Sequence, residues 1–238
     1  MQLVCFPHAG GFSSYYSFLV PESFGNIDDI LLYEYPGRMS RSAEKPYDNC
    51  DEAVRDVAEY LRENIKGDYV LFGYSMGAFF AYEAALYMQE KYSAPPRLVI
   101  ISSQVPPNSY EPIPKEQCDD DDALIKYIYS MGGLDTAIAD NHSVMKYFLK
   151  NIRADFHMIE SYTPTVDSSK KVPALAVIYG TKDKILEKKD VDDWGRVTDN
   201  YLGSFAFDGG HFFVQEHKQS FIELLDDLIT EIAEGVKE

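Results

Sequence analysis

Gly73-Tyr74-Ser75-Met76-Gly77 sets a serine between two glycines, directly after the apolar run Tyr69 to Phe72 and directly before the helix-forming stretch Ala78 to Glu90. A chain that turns sharply from strand to helix leaves no room for side chains on either flank of the apex residue, so such a turn requires glycine at positions 73 and 77. Ser75 is then held at the apex with its hydroxyl exposed, as a candidate nucleophile. A serine hydroxyl at its ordinary pKa is a poor nucleophile and needs an imidazole to take its proton. A carboxylate must in turn fix the imidazole tautomer. The first backbone N–H groups of a helix have no partner inside it, so the Met76 N–H is a candidate donor to a developing oxyanion.

The base and acid follow from chain order, which for a serine on this kind of elbow runs Ser, acid, His. Four histidines come after Ser75: His142, His157, His211 and His217. Asp208-Gly209-Gly210-His211 leaves the last expected strand, and its two glycines give the imidazole room to swing toward the sheet edge, which makes His211 the candidate base. His142 and His157 fall in a helical region and His217 opens the terminal helix, so these three are read as surface or lid residues. Gly180-Thr181-Lys182-Asp183 ends the strand before, and Asp183 is the candidate acid. Asp190, Asp192 and Asp193 are read as helix caps, and Asp208 stands too near His211 to face its ring. A second oxyanion donor is expected from a loop after an early strand. Pro7-His8-Ala9-Gly10-Gly11 is rich in small residues, with the Ala9 amide as the candidate and His8 as a residue that shapes the loop.

These groups need a scaffold that brings them to one edge. Short apolar runs at Leu3 to Phe6, Ile30 to Tyr35, Tyr69 to Phe72, Leu98 to Ser102, Ala174 to Tyr179 and Leu202 to Phe207 alternate with helical-period segments. That alternation predicts an α/β fold with a mostly parallel central sheet flanked by helices. Val54, Val57, Ala58 and Leu61 form a stripe on a helix over Asp51 to Asn64. From about Lys218, the residues Phe221, Leu224, Leu225, Leu228, Ile229 and Ile232 line one side of an amphipathic terminal helix. Between about Val105 and Tyr162 the strand pattern stops, and helices are expected at roughly Asp121 to Met131 and His142 to Ser161, separated by Gly132 and Gly133. This makes a single domain of core 1–104 and 166–238 with an insertion at 105–165, which is either a lid over the site or a second helical layer. The four aspartates 119–122 cannot converge on one ion, because neighbours on a helix point about 100° apart. They read as a solvated helix start.

Bulk composition narrows the partners. The 238 residues carry 22 Lys plus Arg against 39 Asp plus Glu, a net charge of −17, which disfavours nucleic acid and anionic membrane surfaces. Eighteen Tyr and fourteen Phe within a 45% apolar fraction suffice for a core and an apolar pocket. Cys5, Cys50 and Cys118 are odd in number and widely spaced, neither a disulfide framework nor a metal pattern, and read as reduced thiols of a cytoplasmic protein. No secretory leader or membrane span is legible, and no metal or cofactor is expected.

With those residues in place, the chain resembles the type II thioesterases associated with non-ribosomal peptide and polyketide synthases. The matching stretches are Phe6-Pro7-His8-Ala9-Gly10-Gly11, Tyr35-Pro36-Gly37-Arg38, Phe72-Gly73-Tyr74-Ser75-Met76-Gly77, Arg153-Ala154-Asp155-Phe156, Gly180-Thr181-Lys182-Asp183 and Gly209-Gly210-His211-Phe212-Phe213. The resemblance implies an α/β-hydrolase fold with a helical lid and a catalytic triad on Ser75, Asp183 and His211. It also implies hydrolysis of acyl groups from the phosphopantetheine arm of an acyl or peptidyl carrier protein, by a protein read here as a monomer. Arg38 and Arg153 are read as solvated or ion-paired. A small-molecule carboxylesterase or acyl-CoA thioesterase would use the same triad, and a non-catalytic ligand-binding module would keep the fold alone. Because carrier domains are acidic, a chain at −17 is expected to dock through an apolar patch with local basic spots.

Overall fold

The computed structural model describes residues 1–132, 142–165, 167 and 169–235. Six strands, β1 (Gln2–Phe6), β2 (Asp29–Leu32), β3 (Tyr69–Tyr74), β4 (Leu98–Ser102), β5 (Leu175–Gly180) and β6 (Tyr201–Phe207), form one sheet in the order β2-β1-β3-β4-β5-β6. Every neighbouring pair is parallel. The inner strands are buried on both faces, as parallel strands covered by helices must be. Val4, Phe6, Leu71, Val99 and Val177 face one core. Leu3, Cys5, Val70, Phe72, Ile100 and Ile178 face the other.

One strand is shorter than the sequence predicts. The apolar run Ile30 to Tyr35 pairs only as far as Leu32, because β1 ends at Phe6 and the last bond of the ladder is Tyr33 N–H to Cys5 O at 3.0 Å. Tyr33 and Tyr35 are still buried, since their rings turn inward and their hydroxyls find partners, Tyr35 donating to Pro7 O at 3.0 Å. Apolarity here reports burial of a loop and not pairing.

Helix α1 (Cys50–Asn64) starts where the Asn49 side chain accepts from the Glu52 N–H at 2.9 Å. It buries Ala53, Val57, Ala58 and Leu61, while Val54, expected in that stripe, is half-buried. Helix α2 (Met76–Tyr92) packs between α1 and the sheet and is buried almost throughout its first three turns. Between β4 and β5 the chain forms α3 (Lys115–Asp119), α4 (Asp121–Ser130) and α5 (His142–Glu160). Gly133, placed by the sequence reading between two of these helices, lies outside the described residues. The aspartate run divides: Asp119 closes α3, and the Asp120 side chain caps α4 by accepting from the Ala123 N–H at 2.7 Å. The last helix, α6 (Lys218–Glu234), covers the opposite face with Phe221, Leu225, Leu228 and Ile229, each contributing about 2 kcal/mol by burial. Leu224 and Ile232, expected on the same side, are half-buried at its margin. Cys5, Cys50 and Cys118 are buried free thiols, and no described helix is long and apolar enough to cross a membrane.

The fold's tightest joint is where α2 starts beside the end of β1. A Cβ at Gly77 would lie 2.1 Å from the Phe6 carbonyl oxygen and 2.7 Å from that of Pro7, both backbone atoms that cannot rotate away. Gly77→Ala is therefore expected to destabilise the protein by at least about 2 kcal/mol in urea denaturation. A change within about 0.5 kcal/mol would contradict this packing.

Candidate active site

Strand β3 runs into α2 through a single residue. Ser75 has φ 54° and ψ −117°, a conformation that non-glycine residues avoid. Holding it there costs about 1–3 kcal/mol, which the surrounding contacts must supply. They do so in part by bonding the backbone on both sides. The Ser75 N–H donates to Ser102 O at 2.8 Å, and its carbonyl accepts from the Ala78 N–H at 2.9 Å. A Cβ at Gly73 would meet Gly77 O at 2.2 Å, so both flanking glycines are sterically required, as the motif implied.

Asp183 and His211 come from the loops that leave β5 and β6, which are neighbours in the sheet. The His211 Nδ1 lies 2.8 Å from Asp183 Oδ2, and both side chains are buried. A carboxylate oxygen only accepts, so Nδ1 is the nitrogen that carries the proton and Nε2 is the basic one. Asp183 Oδ1 accepts from the Ile185 N–H at 3.0 Å, which fixes the carboxylate in its plane. Two residues outside the sequence expectation hold the imidazole's backbone. The hydroxyls of Tyr74 and Ser103 both donate to His211 O, the latter at 3.3 Å. Tyr74 is one of the two variable residues of the serine motif, so its position was visible while its role was not. Gly180 explains how the two loops come so close: a Cβ there would meet Gly210 O at 2.3 Å.

Ser75, His211, Met76 and Ala9 line one cavity of about 220 Å³. Its walls are mostly apolar: Phe79 from α2, Val105 after β4, Ile128 from α4, and Phe148, Ile152 and Phe156 from α5. Met76 N–H is a first-turn donor of α2. Neither it nor the Ala9 N–H meets a backbone acceptor among the described residues.

The loop 7–11 is tied from several sides. Gly11 N–H donates to His8 O at 2.9 Å. His8 lines the cavity, and its Nδ1 donates to Ala9 O at 3.0 Å, while its ring stands edge-on to Tyr15 and Phe212. Arg38 is buried and ion-paired, with Asp155 of α5 as its partner. Arg153, half-buried, pairs with Asp121 and donates to Cys118 O. His157 stands between Asp119 and Glu160, and His217 Nε2 donates to Asp208 O, so neither reaches the cavity. The side chain of His142 lies outside the described set. Asp190 caps the turn Val191–Val197 by accepting from the Asp192 N–H, and Asp208 pairs with Lys182.

Burial pushes the His8 imidazole down to about 4, assisted by the charges of His211 and Arg38 and opposed by the Ala9 carbonyl. Its folded pKa is therefore depressed below the unfolded value near 6.5. Between those two values the unfolded chain binds a proton that the folded chain does not. Stability is then greatest above about pH 6.5 and falls as pH drops toward 4. Across that window the wild type is expected to lose about 3 kcal/mol more than His8→Gln in urea denaturation. Equal slopes for the two proteins would show that His8 titrates normally.

Comparison with known proteins gives one consistent answer. The family model of the thioesterase domain matches residues 1–229. A probable cadicidin biosynthesis thioesterase of Streptomyces griseus is 30% identical over 236 residues, which is 99% of this chain and 62% of that protein. This chain thus spans less than two thirds of that relative's length. Among solved structures, the RedJ thioesterase from the prodiginine pathway of Streptomyces coelicolor superposes with a TM-score of 0.85 at 29% identity, covering 95% of this chain and 89% of that one. The type II thioesterase BorB from the borrelidin biosynthetic cluster superposes with a TM-score of 0.83 at 25% identity, covering 95% and 91%. With a matched family model over nearly its whole length and a sheet that superposes on those of these neighbours, this chain belongs to the thioesterase domain family, which its similarity to the cadicidin, prodiginine and borrelidin thioesterases bears out.

Proposed function

We propose that this chain is a type II thioesterase that clears acyl groups from the phosphopantetheine arm of acyl or peptidyl carrier proteins. The observation that carries the reading is the buried Asp183–His211 pair opening, together with Ser75, onto an apolar cavity. In this mechanism Ser75 Oγ attacks the thioester carbonyl carbon while His211 Nε2 takes its proton. The oxyanion is held by the N–H groups of Met76 and Ala9. Collapse of the tetrahedral intermediate breaks the C–S bond, and the imidazolium returns its proton to the departing thiolate. A water then attacks the acyl-enzyme with His211 again as base, releasing the carboxylic acid and restoring Ser75. A thiolate is a good leaving group, so the chemistry calls for no cofactor.

The acyl chain lies among Phe79, Ile128, Phe148, Ile152 and Phe156, and the pantetheine arm reaches the serine from the mouth. The helices between β4 and β5 serve as the lid of one domain, since they supply much of the cavity wall. We place the enzyme in the cytoplasm, as a monomer. Its partners are carrier proteins, and nucleic acid and membranes are not among them, in keeping with a net charge of −17.

The test compares kcat/KM on an acylated holo carrier protein, the same acyl group on free pantetheine, and a p-nitrophenyl ester. The carrier-bound substrate is expected to be favoured by at least about tenfold, a differential binding of about 1.4 kcal/mol. Ser75→Ala is expected to lose at least about 1,000-fold on all three. Faster turnover of the free ester would make the enzyme a small-molecule esterase. Undiminished activity of Ser75→Ala would remove the serine mechanism altogether.

A further inference from the structure

Arg38 and Asp155 lie 117 residues apart and are both nearly excluded from water, at 2% and 5% exposure. They are paired to each other, and each also holds one peptide group of loop 7–11. Asp155 Oδ2 accepts from the Gly10 N–H at 2.7 Å. Arg38 Nη1 donates to Gly11 O at 2.6 Å. The guanidinium is further located by the Tyr35 ring, 5.0 Å from its carbon, and the Tyr35 hydroxyl bonds Pro7 O at the start of the same loop. The pair and the loop thus close a ring of hydrogen bonds around Gly10 and Gly11.

The Ala9 N–H, like that of His8, meets no acceptor among the described residues, whereas those of Gly10 and Gly11 are both bonded. The Ala9–Gly10 peptide plane is held at one end by Asp155 and at the other by His8 Nδ1, which donates to Ala9 O. The His8–Ala9 plane is held by Gly11 N–H on His8 O, and in a trans peptide the Ala9 N–H must point the opposite way. Rotating Gly10 or Gly11 out of place therefore turns the Ala9 N–H as well. Glycine is the residue least able to hold such a conformation by itself, and Gly10 has φ +73°. The restraint must come from outside the loop.

That outside restraint stands on the acyl-binding helix. Asp155 shares a face of α5 with Phe148 and Ile152, at a spacing of three and four residues. A Cβ added at Gly10 would lie 3.0 Å from Ile152 and 3.2 Å from Phe148, so this face packs directly on the loop. The same Phe148 and Ile152 line the cavity.

We propose that the buried Arg38–Asp155 pair is a positioning device that aims the Ala9 N–H, and that it makes completion of the oxyanion site depend on the seating of helix α5. The inference rests on the serine mechanism proposed above. It makes Arg38 and Asp155 positioning residues, acting on the transition state through the backbone of loop 7–11, and makes α5 a fixed part of the insertion during the chemical step.

Two substitutions test it, Asp155→Asn and Arg38→Lys. The first removes the charge that holds both Arg38 and Gly10. The second keeps the charge but replaces the two-armed guanidinium, which bonds Gly11 O and Asp155 at once. For each, kcat and KM on an acyl-pantetheine thioester are measured with affinities for two inhibitors of the same acyl length. A trifluoromethyl ketone adds to the serine and places an oxyanion in the site, whereas a thioether analogue fills the cavity without one. The expected result is a fall in kcat of about 10- to 100-fold with KM within about threefold. Affinity for the ketone should drop by a factor like that of kcat, and affinity for the thioether should be unchanged.

A purely structural pair would lower the melting temperature and leave kcat per folded molecule intact, or would weaken both inhibitors equally, and either result overturns the proposal. If Asp155→Asn does not fold, Arg38→Lys decides by the same readouts. Ser75→Ala is run alongside: a wild type no faster than Ser75→Ala would fault the serine mechanism, whereas a Ser75-dependent enzyme indifferent to both substitutions would fault the positioning role alone.

Discussion

Parallel pairing of all six strands sends every strand's carboxyl end to the same rim of the sheet, and the site depends on that constraint. Loop 7–11 leaves β1, Ser75 follows β3, Asp183 follows β5 and His211 follows β6. Positions separated by well over a hundred residues therefore start from one edge, and short loops suffice to bring them together. A single antiparallel strand among β1, β3, β5 and β6 would carry its loop to the far side of the molecule. The open crevice at the carboxyl ends of a parallel sheet is where such folds bind their ligands.

What the sheet brings near, backbone bonding brings into line. The strained Ser75 is anchored to β4 through Ser102, His211 through Tyr74 and Ser103, and loop 7–11 through Arg38 and Asp155. In each case a buried polar group binds main chain, and Ser75, His211 and Ala9 line the cavity. Close approach depends on glycine at 73, 77 and 180, where a methyl group would strike neighbouring carbonyl oxygens within 2.3 Å. Strain at Ser75 and crowding around it are two sides of one arrangement, since a hydroxyl can be exposed at an apex only if the chain on both sides folds away beneath it.

Much of this was legible in the sequence, and the limits have physical causes. Gly73 to Gly77 announced a strand-to-helix turn because few sequences satisfy its steric demands, and Asp183 and His211 followed from chain order and the glycines beside them. The family resemblance carried the same assignment across nearly the whole chain. Where expectation and structure part, the information is tertiary. Tyr33 and Tyr35 read as strand because they are apolar, yet β1 has no more backbone to offer them. Arg38 read as solvated or ion-paired, and it is ion-paired; what nothing local reveals is that its partner is Asp155, 117 positions away, and that the two meet in the interior. Tyr74 and Ser103 serve His211 through its carbonyl, a contact that leaves no pattern in residue spacing.

The central claim is that Ser75 is activated by His211 at the rim of the sheet. The most direct measurement is the rate of phosphonylation by an acyl-like fluorophosphonate, with the modified residue located by peptide mass spectrometry. The account predicts a single adduct on Ser75 and labelling of His211→Ala slower by at least about 100-fold. An adduct on any other residue, or a His211→Ala protein labelled as fast as the wild type, would contradict it.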